Sequence, residues 1–193
     1  MKIAIVDNYD SFTYNLVHYF EALDHEVFVM MHDNIEWNIV DAFDALVLSP
    51  GPGLPQESGA LMEVIEKYYY SKPILGICLG MQALACYDKM ELYNMEQVWH
   101  GIQKQIVVDQ SSRLFESCAS EMEVGLYHSW AVRAVTIPWK SVAQTPEGVI
   151  MAMEHRVLQH AAVQFHPESV MTPEGLRILK SWLESIQKEL LIA

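Results

Sequence analysis

Residues 73–82 read Pro-Ile-Leu-Gly-Ile-Cys-Leu-Gly-Met-Gln, so that Gly76-Ile77-Cys78-Leu79-Gly80 stands between a short aliphatic run and a segment of helical character. This is the thiol counterpart of Gly-x-Ser-x-Gly, in which a nucleophile is raised on a sharp strand-to-helix turn. Small residues are needed two positions to either side, because a Cβ there would crowd the turn. A helix starting after Cys78 offers unpaired N–H groups and a positive dipole end, which favour a thiolate. The N–H of Leu79 would point at a developing oxyanion. Cys86 lies further along the same helix among Ala83, Leu84 and Ala85, and Cys118 has neither flanking glycines nor a strand leading into it. Both read as small buried hydrophobes, a reading that Cys78 taken alone also admits.

A thiolate that carries out acyl transfer needs an acid/base partner, and the partner needs an orienting group. Of eight histidines, His166 stands out in Gln164-Phe165-His166-Pro167-Glu168-Ser169. It follows the strand-like run Ala161–Phe165, and Pro167 stiffens the link that lets the Glu168 carboxylate fold back onto the imidazole. His18, His25, His32, His155 and His160 read as surface or packing residues, and no grouping has metal-ligand spacing. A third element is Leu48-Ser49-Pro50-Gly51-Pro52-Gly53-Leu54-Pro55. Alternating Pro and Gly make a stiff loop with bare backbone, able to aim an N–H at a ligand and equally able to be an ordinary connection.

The elements that must position these residues alternate. Lys2–Val6 is an aliphatic run suited to a strand buried on both faces. Asp10 or Ser11 can cap a helix carrying Phe12, Leu16, Tyr19, Phe20 and Leu23 on one side. Strands follow at His25–Met31, Ala45–Leu48 and Pro73–Ile77, with helices from about Ser58 to Tyr70 and after Cys78. The expected fold is α/β: an open, mostly parallel sheet with helices on both faces, where ligands bind at the carboxyl ends of the strands. From about Leu92 short β-rich pieces (Gln105–Val108, Gly125–Val132, Val142–Gln144, Val149–Glu154, Ala161–Phe165) predict a smaller antiparallel region that returns a strand to the main sheet. A final helix is predicted with Thr172 as cap, Pro173 in the first turn, and an apolar stripe of Leu176, Leu179, Leu183 and Ile186.

The whole chain narrows the function classes. Its 193 residues, about half of them apolar and without repeats or linkers, predict a single domain over 1–193. A formal charge of −13 without any basic block repels nucleic acid and anionic membrane. The apolar run before Asp7 is too short for a signal peptide or a membrane span. Three cysteines without CxxC spacing fit a reducing cytoplasm better than a disulfide framework or a zinc site.

Taken in order, the blocks Asp7-Asn8-Tyr9-Asp10-Ser11-Phe12-Thr13-Tyr14-Asn15-Leu16, Ser49–Gly53, Gly76–Gln82, Tyr127-His128-Ser129 and Gln164–Ser169 run over essentially the whole chain. In them the chain resembles a class I (triad-type) glutamine amidotransferase of flavodoxin-like fold. More narrowly it resembles the small subunit shared by anthranilate synthase and aminodeoxychorismate synthase. The resemblance implies Cys78 as nucleophile, His166 as acid/base and Glu168 as its orienting group. It implies Gly53 and Leu79 as oxyanion donors, Gln82 as a side chain that holds glutamine, and Ser129 and Trp130 as the segment whose backbone receives the substrate's amino-acid end. Gly51 and Pro52 complete the substrate-binding set, and His128 reads as structural. The implied partner is a chorismate-using synthase subunit, and neither a metal nor an organic cofactor is implied.

The chain also departs from the family pattern. Tyr87–Leu92 holds no glycine where a Gly-Gly-Lys turn is common, Leu126 and Trp130 replace residues more often Arg and Leu, and Ile102-Gln103 follows His100-Gly101. Three other readings stand beside this one: a free-standing amidohydrolase or γ-glutamyl hydrolase, a catalytically silent regulatory subunit, and a partner for guanylate or carbamoyl phosphate synthesis. The Asp7–Phe12 block speaks against the first, and an intact Cys78, His166 and Glu168 against the second.

Overall fold

A computed structural model describes residues 1–190. The first half alternates β1 (Lys2–Asp7), α1 (Thr13–Ala22), β2 (Glu26–Met31), β3 (Ala45–Leu48), α2 (Leu61–Tyr68), β4 (Ile74–Ile77) and α3 (Leu79–Tyr87). There follow β5 (Leu92–Val108), β6 (Glu121–Val132), β7 (Trp139–Gln144), β8 (Ile150–His155), β9 (Ala161–Val163) and α4 (Gly175–Leu190). All nine strands form one sheet in the order β2-β1-β3-β4-β9-β8-β7-β5-β6. The first five in that order are parallel, and the remaining neighbours are antiparallel. The expected architecture is therefore present, with β9 as the strand returned to the centre.

Alternation along the strands divides the core. Ile3 and Ile5 of β1 face one side, where Leu16 and Phe20 of α1 pack with Leu179, Trp182 and Leu183 of α4. Ala4 and Val6 face the other, against Leu61, Val64 and Ile65 of α2 and Met81 and Leu84 of α3. Successive side chains of a strand point to opposite faces, so a run buried on both needs helices on both.

Four expectations need correction. Phe12, not Asp10 or Ser11, occupies the cap position of α1, and no side chain caps it; the Asp10 carboxylate instead accepts the Phe12 N–H at 2.8 Å. The last helix begins at Gly175, and the Thr172 hydroxyl is used elsewhere: it donates to the His166 carbonyl at 2.7 Å and accepts the Gly125 N–H at 2.9 Å. Leu176 is 40% exposed, and Ile178 and Trp182 take its place in the buried stripe. Lastly, β5 starts at Leu92 rather than Gln105 and pairs with β6 almost throughout, interrupted by register shifts between Asn94 and Trp99 and between His100 and Ile102. Those bulges break the two-residue period, and Asn94, Glu96 and Gln97 dilute the apolar signal.

Candidate active site

The carboxyl ends of β1, β3, β4 and β9 carry the Asp7–Phe12 loop, the Ser49–Gly53 loop, Cys78 and Gln164–His166. The first two loops are tied together: Asn8 donates its backbone N–H to the Ser49 hydroxyl at 2.8 Å and its side-chain amide to the Ser49 carbonyl at 2.9 Å. Cys78 has φ 51° and ψ −102°, and its N–H donates to the Val163 carbonyl at 2.8 Å. Such a conformation at a non-glycine residue costs on the order of 1–3 kcal/mol and persists only where the surroundings over-determine it. The glycines explain how. A Cβ on Gly76 would lie 2.5 Å from the Gly80 carbonyl oxygen, and one on Gly80 would lie 2.3 Å from that of Leu48. The turn is thus pressed against its own helix start and against β3. As the first residue of α3, Leu79 has an N–H with no acceptor inside the helix.

His166 is held through its backbone, its aromatic contacts and Nδ1. Its backbone N–H donates to the Gly125 carbonyl at 3.0 Å, and Tyr127 and Phe12 meet its ring edge-on with centroids 4.9 and 6.1 Å away. Nδ1 donates to Glu168 Oε1 at 2.6 Å, both side chains being buried. Burial works against the imidazolium, but the neighbouring Cys78 sulfur and Glu168 carboxylate outweigh it, and the pKa of His166 is held well above its ordinary value. Among the described residues, His166 Nε2 and Glu168 Oε2 have no protein hydrogen-bond partner. Asp10 also reaches this pair: its carboxylate, His166 and Glu168 place one ligand-capable atom each within 4.8 Å of one another. Burial pushes the Asp10 carboxyl up, opposed by the Phe12 N–H and by His166.

Two cavities meet at Cys78. The smaller, about 120 Å³, is lined by the expected substrate residues Gly51, Pro52, Gly53, Gln82, Ser129 and Trp130, together with Tyr127 and His128. The larger, about 550 Å³, shares Gly51, Pro52 and Tyr127 with it and is bounded further by Tyr9–Phe12, His100 and His166. Leu79 lines neither. Ser129 falls where the β5–β6 register shifts, between the Trp99–His128 and Asn94–Trp130 pairs. Gln82 is already engaged, since its Nε2 donates to the Trp130 carbonyl at 3.0 Å and to Gln164 Oε1 at 3.2 Å. Only Gln82 Oε1 is left for a ligand. His128 donates from Nδ1 to the same Trp130 carbonyl, and burial lowers its pKa to about 4. A neutral ring bonded to its own strand is a positioning group for the Trp130 backbone.

The other thiols are set apart. Burial raises the pKa of Cys86, and burial followed by Glu174 raises that of Cys118 to about 11. Neither lines the two cavities. Sequence alone gave no reason to single out Asp10 and Gln164 as site residues. Both lie inside the blocks quoted above, and only the sheet order brings them to the sulfur's surroundings.

A parallel α/β sheet with a cysteine on a strained strand-to-helix turn and a His–Glu pair at the neighbouring strand end defines a class of thiol acyl-transfer proteins. Residues 4–186 match the family described as glutamine amidotransferase class-I, and the chain belongs to that family. A Haemophilus influenzae protein, provisionally named as anthranilate synthase component II, is 40% identical over 95% of this chain and 96% of its own. The Bacillus subtilis aminodeoxychorismate/anthranilate synthase component 2 is 38% identical over 98% and 99%. A crystal structure of a Thermoplasma acidophilum protein, provisionally described as one subunit of a GMP synthase, superposes with a TM-score of 0.90 at 25% identity, covering all of this chain and 96% of that one.

Proposed function

We propose that this chain, as one domain over 1–193, hydrolyses glutamine to glutamate and delivers the ammonia to a chorismate-using synthase subunit that makes anthranilate or aminodeoxychorismate. The observation that carries the reading is the junction of the two cavities at Cys78, one lined by Gln82, Ser129 and Trp130 and the other by His166. In this reading glutamine enters the small cavity with its amide carbon at the sulfur. The Cys78 thiolate attacks that carbon, and the negative charge moves to the amide oxygen, which rests on the N–H groups of Gly53 and Leu79. His166 gives its proton to the nitrogen, the C–N bond breaks, and ammonia leaves a glutamyl thioester. Water, deprotonated by the same imidazole, adds to the thioester; the C–S bond breaks, glutamate departs, and the Cys78 thiolate and protonated His166 are restored. Glu168 holds the ring and stabilises its charged form.

The chorismate-using destination rests on relatives named for it at 38–40% identity over nearly the whole chain. The guanylate alternative rests on a structural neighbour at 25% identity. A cytoplasmic setting is consistent with three free cysteines, and no helix among the described residues is long and apolar enough to cross a membrane.

Cys78→Ser is the direct test. Mixed with the synthase subunit, the variant is expected to form no aromatic amine from glutamine while ammonium still supports the reaction at the wild-type rate. Glutamine-dependent turnover that survives the substitution sinks the proposal.

A further inference from the structure

Gln164 follows β9 directly, is fully buried, and belongs to no role so far assigned. Its side chain spans the gap between Gln82 and the proposed nucleophile. Gln164 Oε1 accepts from Gln82 Nε2 at 3.2 Å, and Gln164 Nε2 lies 3.5 Å from Cys78 Sγ. The order of atoms along this chain is imposed from its far end. The Trp130 backbone carbonyl can only accept, so the group of Gln82 that meets it at 3.0 Å is the NH₂. That NH₂ also meets Gln164, which must present its oxygen. The Gln164 NH₂ then points at the sulfur. Reversing Gln164 would set two NH₂ groups against each other in a buried site and leave an oxygen facing Cys78, with two unmet donors as the result.

We propose that Gln164 is a further catalytic residue, whose side-chain amide donates an N–H to the Cys78 thiolate and, through Gln82, links the nucleophile to the backbone of the substrate segment at Trp130. The inference rests on the assignment of Cys78 as nucleophile. An N–H donor bonds more strongly to a charged sulfur than to a neutral thiol and so favours the charged form. It also holds the sulfur from the chain that ends at Gln82, which lines the small cavity, while His166 bounds the large one. The amide itself carries no charge. Its effect adds to that of the ionisable groups nearby, which are His166 with Glu168 and Asp10 behind it, and neutral His128.

The test uses iodoacetamide, a small neutral probe that does not require the glutamine site. Alkylation of each cysteine is followed by peptide mass spectrometry as a function of pH. Gln164→Met keeps the length of the side chain and removes the donor; Gln164→Glu keeps the acceptor for Gln82 and turns a carboxylate oxygen toward the sulfur. With the donor gone, Cys78 alkylation near neutral pH is expected to fall about tenfold while that of Cys86 and Cys118 stays as in the wild type. The Glu variant is expected to slow Cys78 alkylation at least as much. With the synthase subunit present, kcat for glutamine should fall by a similar factor while KM changes little. Thermal melts accompany each variant; if Gln164→Met has no cooperative melt, the Glu variant decides by the same profile. A lowered melting temperature with an unmoved Cys78 profile means that Gln164 only packs, and overturns the inference. If wild-type Cys78 reacts no faster than Cys86 and Cys118, the underlying assignment of the nucleophile fails instead.

Discussion

At the scale of the residue, the site depends on how one imidazole is held. Glu168 contributes the shortest bond to it, and the raised pKa of His166 has a definite consequence for pH. A folded-state pKa above the unfolded value means stability that is fully present below the unfolded value and is lost as pH rises through the folded one. Glu168→Gln removes one cause of that elevation while keeping an acceptor. The denaturant midpoint of the variant is therefore expected to lie furthest below wild type in mildly acidic solution, and the two should converge as pH rises through the His166 titration. Glutamine-dependent turnover should drop by about 10²–10⁴-fold, the range in which orienting carboxylates act. A constant stability gap at every pH would show that Glu168 contributes packing alone. Cys78, His166 and Glu168 were legible as residues because glycine spacing and a Pro-stiffened His–Glu pair are local signals. Asp10 was not, since its approach to His166 is set by β1 and β9, which are distant in sequence.

At the scale of the element, the strand-to-helix turn tolerates no Cβ at Gly80. The obstacle is the Leu48 backbone, 2.3 Å from an added Cβ, and backbone inside a parallel sheet cannot step aside. Gly80→Ala is expected to destabilise the fold by about 1–3 kcal/mol in a urea titration, and to lower turnover further than the lost folded fraction explains, because the displaced turn carries Cys78. Turnover that tracks the folded fraction would separate the clash from the nucleophile. The missing glycines after α3 have a counterpart here: Lys89 takes φ 61°, a left-handed conformation better suited to glycine. Asp88 beside it accepts from the Tyr69 hydroxyl and the Trp139 indole N–H, which fastens the turn by side chains. Lys89→Gly should raise the urea midpoint, with about 1 kcal/mol gained from relieved strain; a lowered midpoint would mean that the Lys89 side chain outweighs its backbone. Strands buried on both faces announce themselves as aliphatic runs, so β1, β3 and β4 were legible. The first half of β5 was not, because a bulged ribbon partly open to water keeps no strict alternation.

At the scale of the whole molecule, the proposed reaction poses a problem of leakage. The larger cavity, about 550 Å³, lies on the His166 side of Cys78 and is bounded by Tyr9, more than half exposed, and by exposed His100. Ammonia released there meets open solvent, and a protonated ammonium ion is no nucleophile for a synthase. A second subunit seated over the Tyr9–Phe12 loop would close that route and, by pressing on the loop that carries Asp10 and Phe12, could also adjust the His166 ring they touch. The loop is braced through Asn8 to Ser49 and His32, through the Tyr9 hydroxyl to Asp33, and through the Asp7 carboxylate, which accepts from the Asp10 N–H and the Thr13 hydroxyl. The isolated chain is thus expected to be a slow glutaminase. Adding the chorismate-using subunit should raise glutamate formation roughly tenfold or more, within the usual range of coupling between sites, with one aromatic amine formed per glutamate. Tyr9→Ser, which removes an exposed ring without touching the core, should weaken that activation while leaving the ammonium-dependent rate of the partner unchanged. Equal glutaminase rates with and without the subunit would point instead to a free-standing amidohydrolase, because an enzyme that releases its ammonia to solvent has no reason to wait for a consumer of it.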